Sequence, residues 1–168
     1  MICQYRVRLP FNDYLETHCL CMHARRGDAV IDVGAHTGYY TLLAAALVGR
    51  QGKVIAIEPA PENCKLLQET IQKTEFQNIT VLPCAAASRR ETKPLFLSKD
   101  NPGDHRLWTA EEEGQREFIL VECRTLDDIV KNFGPIGAIK LDVQGSEVDV
   151  LWGARDTINQ SPNIGLLI

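Results

Sequence analysis

Three carboxylates, Asp32, Glu58 and Asp142, stand at the ends of short apolar runs, each followed by residues suited to a tight turn. The first opens Asp32-Val33-Gly34-Ala35-His36-Thr37-Gly38, which leads directly into a helical pattern. Glycines there let the backbone turn and approach a ligand closely, and a helix N-terminus offers unpaired N–H groups. The spacing is D-x-G-x-x-x-G, which differs from the G-x-G-x-x-G of dinucleotide sites. A negative charge at Asp32 suits a ligand carrying an amino group or a sulfonium better than a pyrophosphate. Glu58, followed by Pro59, is placed to accept hydrogen bonds from both hydroxyls of a ribose. Its alternative use is as a negative charge at the start of the next helix. Cys84 to Ser88 is a run of small residues in which an adenine could lie close to the backbone at Ala85; a tightly packed turn is the other reading. The segment Lys140 to Glu147 sets Asp142, Gln144 and Glu147 around Gly145. Carboxylates there could orient a cofactor's amino group, bind an acceptor hydroxyl or act as general base. Ser146 and Glu147 also fit the cap and first turn of a helix. His36 and His105 complete the candidates for a base.

The elements that must position these residues follow from periodicity. Ala29 to Val33, Lys53 to Ile57, Ile79 to Leu82, Ala138 to Asp142 and Asn163 to Ile168 read as buried strands. Helical spacing joins Tyr40, Leu43, Ala44 and Leu47, then Cys64, Leu67 and Ile71 behind Pro61, then Leu126, Ile129, Val130 and Phe133, and finally Val148, Leu151 and Ile158. Asp13 to Ala24 predicts a helix with Leu15, Cys19 and Met22 on one face, closed by Arg25-Arg26-Gly27. Two further strands, Lys93 to Ser98 and Glu117 to Cys123, flank a polar stretch from Lys99 to Gly114 that reads as a mobile loop. Strands alternating with helices predict an α/β fold with a parallel sheet covered on both faces, and ligands beyond the carboxyl ends of its strands.

Composition narrows the function classes. The 168 residues suit one domain, with residues 1–27 as a helical lead-in and 28–168 as the core. A net charge of −4 offers no footprint for nucleic acid. No apolar run approaches the ~20 residues of a membrane span, and no signal peptide is visible, so a cytoplasmic protein without membrane association is expected. The six cysteines are scattered in apolar stretches and read as reduced thiols. His18-Cys19-Leu20-Cys21-Met22-His23 lacks the spacing of a zinc site, and no Asp/Asp/Asn set suggests catalytic magnesium, so no metal is expected.

From Gly27 to Gly153 the chain resembles the FkbM family of methyltransferases. The marks are Arg26 to Gly38, Ala56-Ile57-Glu58-Pro59, Thr125-Leu126-Asp127, Ile139 to Glu147 and Leu151-Trp152-Gly153. The resemblance implies a Rossmann-like class I fold, S-adenosylmethionine as donor, and O-methylation of a hydroxyl on a sugar, natural product or similar small acceptor. It implies that Gly34, Gly38 and Glu58 hold the cofactor and that Asp142 faces the reaction centre. Asp32, Ala35, Pro59 and Ala85 join them as cofactor candidates. Asp142, His36 and His105 are the catalytic candidates. Gln144 departs from the family, which often has Glu there. The class I sheet has seven strands, whereas five core strands can be read here, so the C-terminal strands and an acidic residue after the fifth strand look missing. The expected consequence is an exposed fifth-strand edge, Ile164 to Ile168, that is covered by another chain or makes the protein prone to associate, an antiparallel homodimer being one solution. Two other functions compete: a non-catalytic domain that binds the cofactor or serves as a partner subunit, and an NAD-binding oxidoreductase, against which the glycine spacing argues.

Overall fold

The computed structural model describes residues 14–99, 101, 103–108, 117–131, 133 and 136–168. Five parallel strands form the main sheet: β1 (Ala29–Val33), β2 (Lys53–Ile57), β3 (Ile79–Leu82), β7 (Ile136–Leu141) and β8 (Gly165–Leu167), in the order β3-β2-β1-β7-β8. The chain builds outward from β1 through β2 to β3, then returns to lay β7 on the other side of β1. That reversal opens a crevice at the carboxyl ends of β1 and β7. All five residues of β1 are buried, as a central parallel strand with both faces covered requires.

Alternation along the strands sorts the core into two layers. Val30, Val54 and Ala138 point to one face, where α1 (Tyr14–His23) and α2 (Tyr39–Val48) supply Leu20, Ala44, Ala45 and Val48. Ile31, Val33, Ile55, Ile57 and Ile139 point to the other. There α4 (Leu126–Val130) and α5 (Glu147–Trp152) supply Leu126, Ile129, Val130 and Val150, beside α6 (Arg155–Gln160). The helix α3 (Pro61–Gln72) begins on its proline and buries Leu67 beneath the first glycine loop.

A second sheet takes the order β4-β6-β5, from β4 (Ala85–Ala86), β5 (Glu91–Phe96) and β6 (Phe118–Arg124). β5 and β6 are antiparallel, with Glu91 opposite Cys123 and Phe96 opposite Phe118. Pro94, which has no N–H to give, is accommodated because β5 lies at the edge of this sheet.

Several expectations are corrected. In α1 the buried stripe is Leu20 and Ala24, facing Ala138 and Leu167, whereas Leu15 and Met22 are exposed and Cys19 is only partly covered. Apolar residues lie on all sides of that helix, so spacing alone did not select its inner face. The helix expected through Val148, Leu151 and Ile158 is two, α5 and α6, broken at Gly153. A side chain there would run into the Ala87 carbonyl, and the Gly153 carbonyl accepts from Asp127 N–H at 2.9 Å. Asp127 starts α6, its Oδ1 accepting from Thr157 N–H at 2.8 Å and from the Thr157 hydroxyl at 2.7 Å. Ser146 makes no side-chain cap to α5. Instead Glu147 Oε1 accepts from Val143 N–H at 3.3 Å and Gly145 N–H at 3.1 Å, holding the preceding loop. The polar stretch from Lys99 to Gly114 lies in part outside the described residues, as does Asp13. Its described part carries an antiparallel bridge between Phe96 and Arg106. β8 is shorter than expected and pairs with β7 through Gly165 to Leu167.

Candidate functional site

A cleft opens over the carboxyl ends of β1, β2 and β7, with β4 and the end of the β5–β6 hairpin as its other wall. The first glycine loop makes its floor. Gly34 has φ +77°, and a Cβ there would strike the carbonyl oxygen of Asp142. Only glycine lets the two loops meet backbone to backbone. Asp142 N–H donates to the Val33 carbonyl at 3.0 Å, and Gly34 N–H to the Ile57 carbonyl at 2.9 Å, so the ends of three strands are tied together. Gly38, at φ +98°, admits Leu67 Cδ1 2.5 Å from where a side chain would start.

Glu58 is buried, and its carboxylate is held by donors on three sides. His36 N–H donates to Oε2 at 2.8 Å, while Ala60 N–H and Asn63 Nδ2 donate to Oε1 at 3.0 and 3.3 Å. Those three contacts leave about one acceptor position open, on Oε2, since a carboxylate accepts about four hydrogen bonds. His36 itself sits at φ +49°, and its Nε2 is buried with no protein partner. An orphaned polar atom of that kind needs a partner, and here it lies in the wall of a cleft.

Asp142 is half exposed at the mouth. Its Oδ1 accepts from Gln144 Nε2 at 2.7 Å, and Lys140 Nζ lies 3.8 Å from Oδ2. Gln144 thus sets a neutral amide beside Asp142, where a Glu would add a second negative charge. Behind it Lys140 is buried. Its ammonium lies 3.5 Å from Asp32 Oδ1, 3.5 Å from the Gly34 carbonyl and 4.9 Å above the Tyr40 ring. Asp32 Oδ2 accepts from the Thr41 hydroxyl at 2.6 Å.

The outer wall belongs to the hairpin. His105 lines the cleft with Leu95 and Leu107, and Ser98 N–H donates to its Nδ1 at 3.0 Å. Burial pushes this imidazole below its ordinary pKa; the nearby Glu58 carboxylate opposes that shift and the His36 ring reinforces it. Trp108 Nε1 donates to the Gln144 carbonyl at 2.8 Å, and the indole lies where a side chain at Gly145 would begin. Cys64 and Cys84 supply no nucleophile, because burial pushes both thiols up to about 11.

Of the residues singled out from sequence, Gly34, His36, Glu58, Pro59, Ala85, His105 and Asp142 meet in this cleft. Three do not line it. Asp32 lies beneath the loop as partner of Lys140 and Thr41, and Ala35 and Gly38 shape the loop from below against α3. Lys140, Asn63, Leu95 and Leu107 were missed. Lys140 stood within a quoted motif, where a lysine inside an apolar run signals a buried charge in need of a partner. Asn63, Leu95 and Leu107 carry no local signal.

The sequence profile described as the Methyltransferase FkbM domain matches residues 32–168. A protein-L-isoaspartate O-methyltransferase of Methanococcus aeolicus is 33% identical over 139 residues, covering 73% of this chain and 64% of its own length. The crystal structure of methyltransferase FkbM from Methylobacillus flagellatus superposes with a TM-score of 0.59 at 25% identity, covering 83% of this chain and 32% of that one. A Streptococcus mutans protein, described as a methyltransferase and solved in complex with SAH, shares the fold with a TM-score of 0.53 at 12% identity over 92% of this chain and 68% of its own. The chain thus spans less than two thirds of the Methanococcus relative and about a third of the Methylobacillus chain. Because the family model spans residues 32–168, most of the chain, the chain belongs to the FkbM methyltransferase domain family.

Proposed function

We propose that this chain binds S-adenosylmethionine in the cleft and serves O-methylation of a hydroxyl on a small acceptor. The observation that carries the reading is one cleft lined by Gly34, Glu58 and Asp142, each directly after a different strand of the main sheet, together with Ala85 of β4. The residues fit the cofactor. Glu58 has an acceptor position on Oε2 open to a ribose hydroxyl, the bare backbone at Gly34 admits a ligand, and His36 Nε2 is a buried polar atom in want of a partner. Ala85 and Ala86 offer a flat, side-chain-poor wall to a purine. When bound, the cofactor supplies an electrophilic methyl group on a sulfonium, which passes to the acceptor oxygen.

The protein's part is then to hold that oxygen in line and to take its proton. Asp142 is the group for the second task. It is half exposed at the mouth, and because Gln144 donates to Oδ1 while Lys140 stands 3.8 Å from Oδ2, the carboxyl keeps an open side for the incoming hydroxyl. A carboxylate acceptor, as the name of the Methanococcus relative implies for that protein, needs no base and would be repelled by Asp142. A hydroxyl needs a base and suits the same charge, which favours an alcohol, sugar or phenol.

Isothermal titration tests the reading. S-adenosylhomocysteine should bind with one site per chain, and NADH should not. Heat from NADH alone would assign the cleft to an oxidoreductase instead.

A further inference from the structure

The hydrogen bond from Ser98 N–H to His105 Nδ1 fixes more than the ring's orientation. A backbone amide has only a proton to give, so Nδ1 must present its lone pair. The neutral ring therefore carries its proton on Nε2. A ring in that form cannot accept a proton at Nε2, and accepting one at Nδ1 would break the bond to Ser98. His105 is thus unsuited to the role of base and suited to that of donor.

The ring is also held firmly. The adjacent Arg106 exchanges both backbone hydrogen bonds with Phe96, at 2.8 and 3.1 Å, which pins this part of the hairpin to the wall. With Nδ1 turned to Ser98, the Nε2 edge is the polar group left for the cleft, which Glu58 and His36 also line, and Asp104 and Glu62 are the ring's other charged neighbours. Glu58 can accept protons from hydroxyl groups, but it gives nothing to their oxygen atoms. A hydroxyl is fully satisfied only when its oxygen also receives a hydrogen bond. Glu58 and His105 together supply both halves.

We propose that His105 is a cofactor-binding donor, its Nε2–H meeting the oxygen of a ribose hydroxyl whose own proton is directed at Glu58. The inference rests on the binding of S-adenosylmethionine in this cleft. It makes the hairpin part of the cofactor site, and it removes a histidine from the candidates for the base.

Two measurements on the whole chain test it. Nitrogen-15 spectra of the histidine rings should show His105 with its proton on Nε2 and an unprotonated Nδ1 at neutral pH, and its Nε2 proton should shift on adding S-adenosylhomocysteine. In calorimetric titrations with that ligand, His105→Ala should bind about tenfold more weakly, the loss of one buried hydrogen bond. His105→Gln, which can place an amide N–H near the same point, should stay within about threefold of the parent protein. The proposal is overturned by a proton on Nδ1. It is equally overturned by unchanged affinity in His105→Ala while Glu58→Ala binds weakly, an outcome that leaves the cofactor reading intact. Failure of the parent protein to bind S-adenosylhomocysteine overturns both.

Discussion

The floor of the cleft and its outer wall hold their positions by different means. The floor is backbone and buried charge. Gly34 rests on the Asp142 carbonyl, three strand ends exchange hydrogen bonds, and Lys140 is enclosed by Asp32, Gly34 and Tyr40. The wall is a hairpin that touches the floor through side chains. Trp108 reaches the Gln144 carbonyl, and Lys93 bridges Glu91 and Asp149 at 3.1 Å each from a partly exposed position. Partly exposed pairs of that kind contribute little, typically about 0–1 kcal/mol. The contrast means that changes in the floor should register as lost stability, whereas changes in the wall should register in ligand affinity and pH response with the fold intact.

Lys140→Met probes the floor hardest. It leaves the Asp32 carboxylate buried without its cation, at an expected cost of about 3–5 kcal/mol. Urea denaturation measures it, and adding Asp32→Asn should recover part of the loss. A cost under about 1 kcal/mol would show that the pair is not part of the floor. Gly34→Ala should follow at about 2–4 kcal/mol, from left-handed strain plus the collision with Asp142, together with loss of S-adenosylhomocysteine binding. A variant with parental melting temperature and affinity would refute the close approach. Glu58→Ala stands where floor and wall meet. It should weaken S-adenosylhomocysteine by about 1–3 kcal/mol, because it strands a ribose hydroxyl in a desolvated site; unchanged affinity would remove Glu58 from the ribose.

The smallest effect belongs to the wall and depends on pH. The His105 pKa is lowered in the folded chain, chiefly by burial. Above the ordinary histidine pKa of about 6.5 both folded and unfolded chains hold this ring neutral, so it contributes no pH dependence. As pH falls through that value the unfolded chain takes up a proton first, and stability declines. Urea midpoints at pH 7.5 and 5.5 should therefore differ more for the parent protein than for His105→Gln. Equal differences in the two proteins would place the ring in ordinary solvent.

Much of the floor was legible in the sequence because strand and loop chemistry are local. Ala29 to Val33 reads as a buried strand, Gly34 and Gly38 mark turns, and Glu58 follows directly on Ile57. The misreadings share a cause, which is a partner distant along the chain. Gly153 breaks a helix because the Ala87 carbonyl occupies its space. Asp32 lies beneath the loop and does not line the cleft because Lys140 and Thr41 hold it from two other elements. The inner face of α1 depends on where β8 lies, and its own spacing allowed several faces. His105 was visible as a histidine in a polar stretch, but its tautomer depends on Ser98, which only the hairpin brings alongside.

A crystal structure of the complex with S-adenosylhomocysteine tests the central claim most directly. The account predicts a ribose hydroxyl within hydrogen-bond reach of the Glu58 carboxylate, about 2.6–3.2 Å, with the purine against Ala85 and the sulfur directed toward Asp142. A ligand bound elsewhere, or a ribose turned away from Glu58, would contradict it.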